Sequence, residues 1–175
     1  MTTKAMEKAE TIDIANARQV SQAYPGLAVV DERTAGLFGQ ELSQAFHGDF
    51  DVSASSVALQ KCDAFLAELE SPGCHNLLGL EALGGSGLFA IDNHLLFDLL
   101  ERLFGGGGLP SNETGVEFDR PRFSSIEERV IRRIVRMFGR AMESAWRAML
   151  PLTIRHVRVE TKPTNAPIAS PEDSI

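Results

Sequence analysis

The chain has 175 residues and a mass of 19.1 kDa, which suits one domain with a tail. Its 43% hydrophobic and 23% charged residues form the ordinary globular mixture and exclude wholesale disorder, a collagen-like repeat and a coiled coil. The formal net charge of −7 disfavours nonspecific binding to nucleic acid, because affinity for phosphate comes from clustered cations.

The sequence carries no sign of export or membrane insertion. No apolar run approaches the roughly 20 residues that cross a bilayer, and Met1–Tyr24 lacks the apolar stretch of a signal peptide. Cys62 and Cys74 have neither metal-ligand nor redox spacing, which predicts reduced, buried thiols. We therefore expect a cytoplasmic protein without direct membrane insertion.

The N-terminal part of the chain predicts an arm, a long helix, a strand and a short helix. Met1–Tyr24 is polar and is expected to be a mobile arm. Apolar residues recur at helical spacing over Leu27–His47, and Gly48 closes the pattern. Phe50–Gln60 begins with alternating apolar and polar residues, which predicts a half-buried strand, and Cys62–Leu69 predicts a short helix.

A hairpin and a leucine-rich helix are predicted next. The apolar runs Asn76–Leu83 and Leu88–Ile91 are joined by Gly84–Gly87, and such a glycine-rich link is typical of a hairpin. Asp92 or Asn93 can cap the following helix, whose apolar residues predict burial on most sides. These residues are Leu95, Leu96, Phe97, Leu99, Leu100, Leu103 and Phe104.

A loop and a second long helix follow. Gly105–Arg122 is too rich in Gly and Pro for regular structure. Ser125–Met149 predicts a helix, with Ser124 or Ser125 as its N-cap and a glutamate three residues on completing a capping box. Its apolar face consists of Val130, Ile131, Ile134, Val135, Phe138, Ala141, Met142, Ala145 and Trp146. Its opposite face carries Arg129, Arg132, Arg133, Arg136, Arg140 and Arg147.

The arginine face of this helix has three interpretations. The simplest is a solvated surface. A basic helix lying on a membrane and a docking face for an acidic partner are the alternatives. The membrane alternative is the weaker of these two, because the apolar face is needed for the core.

A strand and a tail complete the chain and reveal an internal repeat. Pro151 ends the helix, Leu152–Val159 predicts a strand, and Pro163–Ile175 is a tail rich in Pro and Ser. A shift of 100 residues aligns Arg33 with Arg133, Phe38 with Phe138, Gly39 with Gly139, Ala45 with Ala145, Phe46 with Trp146, Val52 with Leu152, and Val57 with Val157. We interpret this as a duplicated helix–strand unit whose copies bury their apolar faces against each other. Because only the first copy continues into a hairpin, we expect the second repeat to be incomplete.

No catalytic pattern stands out. The four histidines are scattered without metal-ligand spacing, which predicts surface or capping residues rather than acid–base groups. They are His47, His75, His94 and His156. The sequence contains neither a nucleophile elbow nor a paired-carboxylate motif. We expect no metal, no cofactor and no enzymatic activity.

The glycine tract after the leucine-rich helix is the candidate site. It lacks the Lys-Ser/Thr of a P-loop and follows a helix C-terminus, whose dipole repels phosphate. A helix cap needs one glycine, and surplus glycines let another backbone approach closely. We therefore predict a protein-contact loop, with a cap and flexible loop as the alternative. Its residues are Gly105, Gly106, Gly107 and Gly108.

The order of these motifs resembles the middle domain of the flagellar motor switch family FliM. Leu88–Asp92 and Leu96–Gly108 resemble the family's hairpin, helix and G-G-x-G loop, and Phe123–Ile131 resembles the start of its second long helix. The further matches are Ala145-Trp146, Leu150–Leu152, Val157–Glu160 and Thr164-Asn165. The resemblance covers roughly Leu27 to Pro171.

The resemblance implies a pseudo-twofold α+β fold in α/β/α layers, with an antiparallel sheet, two long helices and an incomplete second repeat. It places this domain at residues 25–163, between an arm at 1–24 and a tail at 164–175. It implies a non-enzymatic scaffold of the cytoplasmic rotor ring, peripheral to the inner membrane at the flagellar basal body, that supports torque and switching in chemotaxis.

The resemblance also implies partners. These are a FliG-like switch protein, bound through Gly105, Gly106 and Gly108 with Gly107 variable, and neighbouring FliM-like copies; a FliN-like protein and CheY are further candidates. Three features depart from the family. The loop after Gly108 is longer, and Met1–Tyr24 lacks a clear acidic-apolar CheY-binding peptide. The chain also ends before the family's last strands, which predicts a split, truncated or divergent member whose missing half comes from another chain.

Two alternatives use the same scaffold. A CheC-type phosphatase, which dephosphorylates CheY, needs an acidic or hydroxyl residue, a glutamate and then an asparagine on a helix. Ser124 and Glu128 match the first two, but Ile131 stands where the asparagine is needed and cannot orient water. The other alternative is an adaptor in a type III secretion ring.

Overall fold

The computed structural model describes residues 25–105, 122–165 and Ile168. Within them, the regular elements in chain order are α1 (Pro25–Phe46), α2 (Cys62–Glu68), β1 (Cys74–Leu80), β2 (Gly85–Ile91), α3 (Asn93–Leu103), α4 (Ser125–Trp146) and β3 (Ile154–Glu160). Short 3₁₀ turns occupy Glu81–Leu83 and Pro163–Asn165. The predicted arm, most of the predicted loop and most of the tail lie outside the described residues.

The three strands form one antiparallel sheet in the order β2–β1–β3. Leu77 of β1 lies opposite Leu88 of β2 on one side and Arg158 of β3 on the other. β1 lies in the hairpin that follows the first predicted copy and β3 lies in the second copy, so the sheet joins the two halves of the chain. The strand that the repeat predicts as the counterpart of β3 in the first copy is not formed. The mixture of helices with an antiparallel sheet confirms the predicted α+β class.

The two long helices pack against each other and against the sheet through aromatic side chains. The rings of Phe89 on β2 and Phe138 on α4 stack with centroids 4.1 Å apart. Phe38 of α1 meets both rings edge-on, at 6.2 Å and 5.6 Å. Phe38 and Phe138 are repeat partners, so the duplicated helices meet at equivalent positions.

Helix α4 begins as the sequence predicts. Of the two candidate caps, Ser124 is the N-cap: its Oγ accepts from the Glu127 backbone N at 3.3 Å, and the Glu127 carboxylate accepts from the Ser124 backbone N at 2.7 Å. The predicted apolar face packs inward, with Val130, Ile131, Ile134, Val135, Ala141 and Ala145 all buried. The helix ends at Trp146, and the chain continues in turn conformation to Met149.

The strand predicted over Phe50–Gln60 is wrong. This segment has no regular secondary structure and is not part of the three-stranded sheet. It is held instead by side chains: the Phe50 backbone N donates to Ser43 Oγ at 3.0 Å, and Phe50 and Val52 pack against the core. The alternation of apolar and polar residues reflects which side chains pack against the core, and it does not indicate backbone pairing.

The hairpin is confirmed, but its predicted link is wrong. Gly85 and Gly87 lie within β2, opposite Leu80 and Leu78. The connection is the 3₁₀ turn Glu81–Leu83 followed by Gly84, whose φ of 62° favours glycine.

The buried thiols are confirmed, whereas the prediction for His75 is wrong. Cys62 and Cys74 are buried and form no disulfide. His75 is not a surface or capping residue: it lies on the central strand with 1% exposure, and its Nε2 is 2.8 Å from the Glu70 carbonyl. Among the described helices, none is long and apolar enough to cross a membrane.

Candidate functional site

Helix α3 is fixed firmly at its start and along its inner face. Asp92 is the N-cap, and its Oδ1 accepts from the Leu95 backbone N at 3.0 Å. The Asn93 amide donates to the Pro72 carbonyl at 3.1 Å. Leu96, Leu99 and Leu100 are buried in the core. The helix is therefore a rigid support for whatever follows its C-terminus.

The last turn of α3 ends in a glycine cap. The Phe104 backbone N donates to the carbonyls of Leu100 and Glu101, both at 3.1 Å, and the Gly105 backbone N donates to the Arg102 carbonyl at 3.2 Å. Gly105 is exposed and has a φ of 87°, where residues with a Cβ are strained. Gly105 thus serves as a helix cap. Gly106, Gly107 and Gly108 lie outside the described residues, so their contact role stays a prediction.

Apolar side chains stand exposed beside the start of the glycine tract. Phe104 is 64% exposed and Leu103 is 38% exposed, while Leu95 is 43% exposed at the other end of the helix. The prediction of burial on most sides is therefore wrong for these three residues. Periodicity assigns Leu103 to the inner face, but at the last turn its side chain is partly exposed rather than buried in the core. The adjacent Gly105 is the sequence signal that could have placed Leu103 and Phe104 at a helix end.

Arg102 orders the outer side of the same turn. Its Nε lies 2.8 Å from Asp98 Oδ2, one helical turn earlier, and its guanidinium lies 5.7 Å from the centre of the Phe50 ring. The first contact lies within α3, and the second ties the helix to the segment that follows α1. No local sequence pattern marks Arg102, because its ring partner Phe50 lies on a distant segment.

The residues considered for phosphatase chemistry do not converge on a site. The Ser124 hydroxyl is engaged in the α4 cap, and Glu128 lies 4.0 Å from Arg132 on the helix surface. Ile131 is fully buried and faces the core rather than a partner.

Burial raises the pKa of the Cys74 thiol to about 12 and lowers the pKa values of His75 and His156. In the part of the chain that the structure describes, no group of three His, Cys, Asp or Glu side chains could hold a metal ion.

Comparison with known proteins gives consistent results. The family model described as flagellar motor switch protein FliM matches residues 21–175. The FliM of Salmonella typhimurium is 31% identical over 161 residues, covering 90% of this chain and 46% of that protein. The FliM of Pseudomonas aeruginosa is 28% identical over 158 residues, covering 90% of this chain and 47% of that protein. The chain therefore spans about half the length of these relatives.

A solved structure supports the same fold. The crystal structure of a FliG–FliM complex from H. pylori matches with a TM-score of 0.77 at 20% identity. The match covers 87% of this chain and 81% of that chain.

Proposed function

The chain belongs to the flagellar motor switch protein family FliM, and from that premise we propose that it is a non-enzymatic scaffold of the flagellar switch. In this proposal, residues 25–163 form the middle domain between an arm at 1–24 and a tail at 164–175. The domain binds a FliG-like switch protein through Gly105–Gly108 and packs beside neighbouring copies in a cytoplasmic ring at the basal body, supporting torque and direction switching. A FliN-like protein and CheY are further candidate partners.

The observation that supports the proposal is the exposed C-terminal end of α3, from which the chain continues into the glycine tract. Three buried leucines and the Asp92 cap fix the helix, while its last turn and Gly105 are exposed. Exposed Leu103 and Phe104 add apolar surface beside a backbone that a partner could approach. The related H. pylori protein was crystallised in a FliG–FliM complex, which supports a FliG-like partner here.

The test is Gly106→Val, assayed by pull-down with the FliG-like protein of the same cell and by thermal melting. We expect binding to fall about tenfold, as loss of one well-packed contact does, while the melting temperature stays within about 2 °C. Gly85→Val is the matched control: Gly85 is exposed at the start of β2, with open space around a Cβ there. It should bind normally.

Three outcomes would contradict the proposal. One is an equal loss of binding and stability in Gly106→Val, since the glycine would then serve folding. Another is an equal loss of binding in Gly85→Val. The third is measurable turnover of aspartyl phosphate by the wild-type chain, which would favour the CheC-type alternative.

A further inference from the structure

The arginine face of α4 borders a groove that the proposed function does not use. The groove lies between α1 and α4 and has a volume of about 620 Å³. One wall carries four arginines, and Glu41 and Gln44 stand on the other. We call it the arginine groove; its lining is Glu41, Gln44, Ala45, Arg129, Arg133, Arg136, Met137 and Arg140.

One of the four arginines already holds a carboxylate. Arg140 donates to both carboxylate oxygens of Glu41 on α1, through Nε at 3.3 Å and through Nη2. This contact shows the geometry in which the groove accepts an acidic side chain from a neighbouring helix. Arg129, Arg133 and Arg136 are exposed and lie within ion-pair distance of no carboxylate among the residues that the structure describes. Arg136 Nε donates to the Arg132 carbonyl at 3.3 Å, so its other N–H donors, together with those of Arg129 and Arg133, are the ones left for carboxylates.

The four arginines follow the period of a helix. Arg129, Arg133, Arg136 and Arg140 are spaced by four, three and four residues, so they form one row spanning about 16 Å at about 1.5 Å per residue. A second helix lying along the groove presents its own side chains with the same period. Ala45 and Met137 give the groove an apolar floor, on which a small side chain of that helix can rest.

The charge of the molecule narrows the class of partner. Residues 125–160 contain eight Arg against four Glu, whereas residues 25–105 contain twelve Asp and Glu against three Lys and Arg. A nucleic acid or an anionic bilayer is long or wide enough to meet this acidic surface as well, and would be repelled by it. A flat membrane also cannot reach the bottom of a groove. An acidic protein helix is short enough to lie along the arginine row without reaching the acidic surface of residues 25–105.

We propose that the arginine groove binds an acidic α-helix of another protein, with carboxylates at intervals of about one turn facing Arg129, Arg133 and Arg136. No three Asp or Glu residues anywhere in the sequence have the spacing of Arg129, Arg133 and Arg136 in either direction, so the partner is a different protein rather than a second copy. The inference does not depend on the role of Gly105–Gly108.

The test uses a synthetic alanine-based helix of about 16 residues, the length that spans the row. The matched peptide carries glutamates spaced by four, three and four residues, and the control peptide has the same composition with glutamates spread around the helix. Binding to the full chain is followed by fluorescence anisotropy as salt is raised. We expect the matched peptide to bind more tightly than the control and to weaken with salt.

Two triple variants with the same change in net charge complete the test. Arg129→Gln with Arg133→Gln and Arg136→Gln should weaken binding of the matched peptide about tenfold, the combined effect of three exposed ion pairs. Lys61→Gln with Arg33→Gln and Lys162→Gln, three exposed cations outside the groove, should change it less than about twofold.

Four outcomes would overturn the proposal. These are no binding of the matched peptide, equal binding of both peptides, equal losses in both triple variants, and preferential binding of anionic vesicles or duplex DNA. A fifth outcome concerns self-association of the chain. If the triple variant of Arg129, Arg133 and Arg136 abolishes self-association and the matched peptide does not affect it, the groove binds a second copy and the proposal is overturned.

Discussion

Gly105 and Gly36 allow the same added methyl group to be compared in two backbone conformations. A Cβ would meet nothing within 4 Å at either position, but Gly105 has a φ of 87° whereas Gly36 lies within α1. Gly105→Ala should therefore lower the free energy of unfolding by about 1–2 kcal/mol. Gly36→Ala should raise it by up to about 1 kcal/mol, because alanine is the better helix former. Urea denaturation measures both. Equal shifts would show that the cap conformation at Gly105 is not required.

The buried histidine makes stability depend on pH. Burial lowers the pKa of His75, opposed by the smaller effect of the bond to the Glu70 carbonyl and the nearby Glu70 carboxylate. The pKa of His75 in the folded state then lies below the unfolded value of about 6.5. At a pH between these two pKa values, the unfolded chain binds more protons than the folded chain. The contribution of His75 is complete above about pH 6.5 and is lost as the pH falls toward the folded pKa.

We therefore expect the free energy of unfolding to decrease between about pH 7 and pH 5, and to decrease less steeply in His75→Gln. The wild type and His75→Gln contain the same carboxylates. The difference between their slopes of unfolding free energy against pH therefore measures the contribution of His75. His47→Gln is the control, because His47 is exposed. The same slope in His75→Gln and in the wild type would contradict the prediction.

At the scale of the elements, Gly39 and Gly139 occupy equivalent positions of the repeat but differ in the space around them. A Cβ at Gly39 would lie 2.9 Å from the Phe50 carbonyl oxygen, so the backbone must shift. A Cβ at Gly139 would lie 3.6 Å from Ile154 Cγ2, an ordinary contact. Gly39→Ala should destabilise the protein by about 1–3 kcal/mol, whereas Gly139→Ala should be neutral or stabilising by up to about 1 kcal/mol.

Thermal and urea unfolding of the two variants test this difference directly, since each serves as the control for the other. Equal effects would mean that the backbone at Phe50 does not pack tightly against α1 at Gly39. If Gly139→Ala is destabilised and Gly39→Ala is not, the tight contact lies at Gly139 and the prediction is contradicted.

Local patterns were enough to predict most of the elements. Asp92 and Ser124 cap their helices because the capping preference acts within one turn, and the periodicity of α4 places Ile131 and Ile134 in the core. The hairpin followed from two apolar runs and a glycine-rich link. These features need no knowledge of distant neighbours.

The incorrect predictions concern features that distant neighbours decide. Phe50–Gln60 alternates like a strand, yet a strand also needs a partner for its backbone, and sequence alternation does not contain that partner. Leu103 lies on the apolar side of α3, yet at the last turn its side chain is partly exposed. His75 is polar but buried, because β1 is the central strand. Of the candidate site, only the cap at Gly105 is described, so the contact role of Gly106–Gly108 still rests on sequence.

At the scale of the whole molecule, the outer edge of β2 bears on whether the chain self-associates. Among the described strands, β2 is at the end of the sheet, and no strand covers its outer side. Gly85–Ile91 contains no charged residue and no proline, the usual means of blocking an edge. A largely apolar groove of about 650 Å³, lined in part by Phe38, Phe89 and Phe138, lies nearby. Ala58 and Gln60 line a cavity together with Ser86 and Leu88 of β2, but they form no strand along it. An edge strand without charged residues or proline, next to apolar surface, favours pairing with another chain.

We therefore expect the 175-residue chain to self-associate, as measured by sedimentation velocity over a range of concentrations. Ala90→Lys, at an exposed position of β2, should shift the chain toward monomer, because an edge lysine must be desolvated when strands pair. Ala148→Lys, exposed after α4, makes the same change in charge away from the edge and should leave the association unchanged. A monomeric wild type with a sharp two-state melt would contradict the expectation. Association that persists in Ala90→Lys would assign it to the apolar groove or the helices instead of the strand edge.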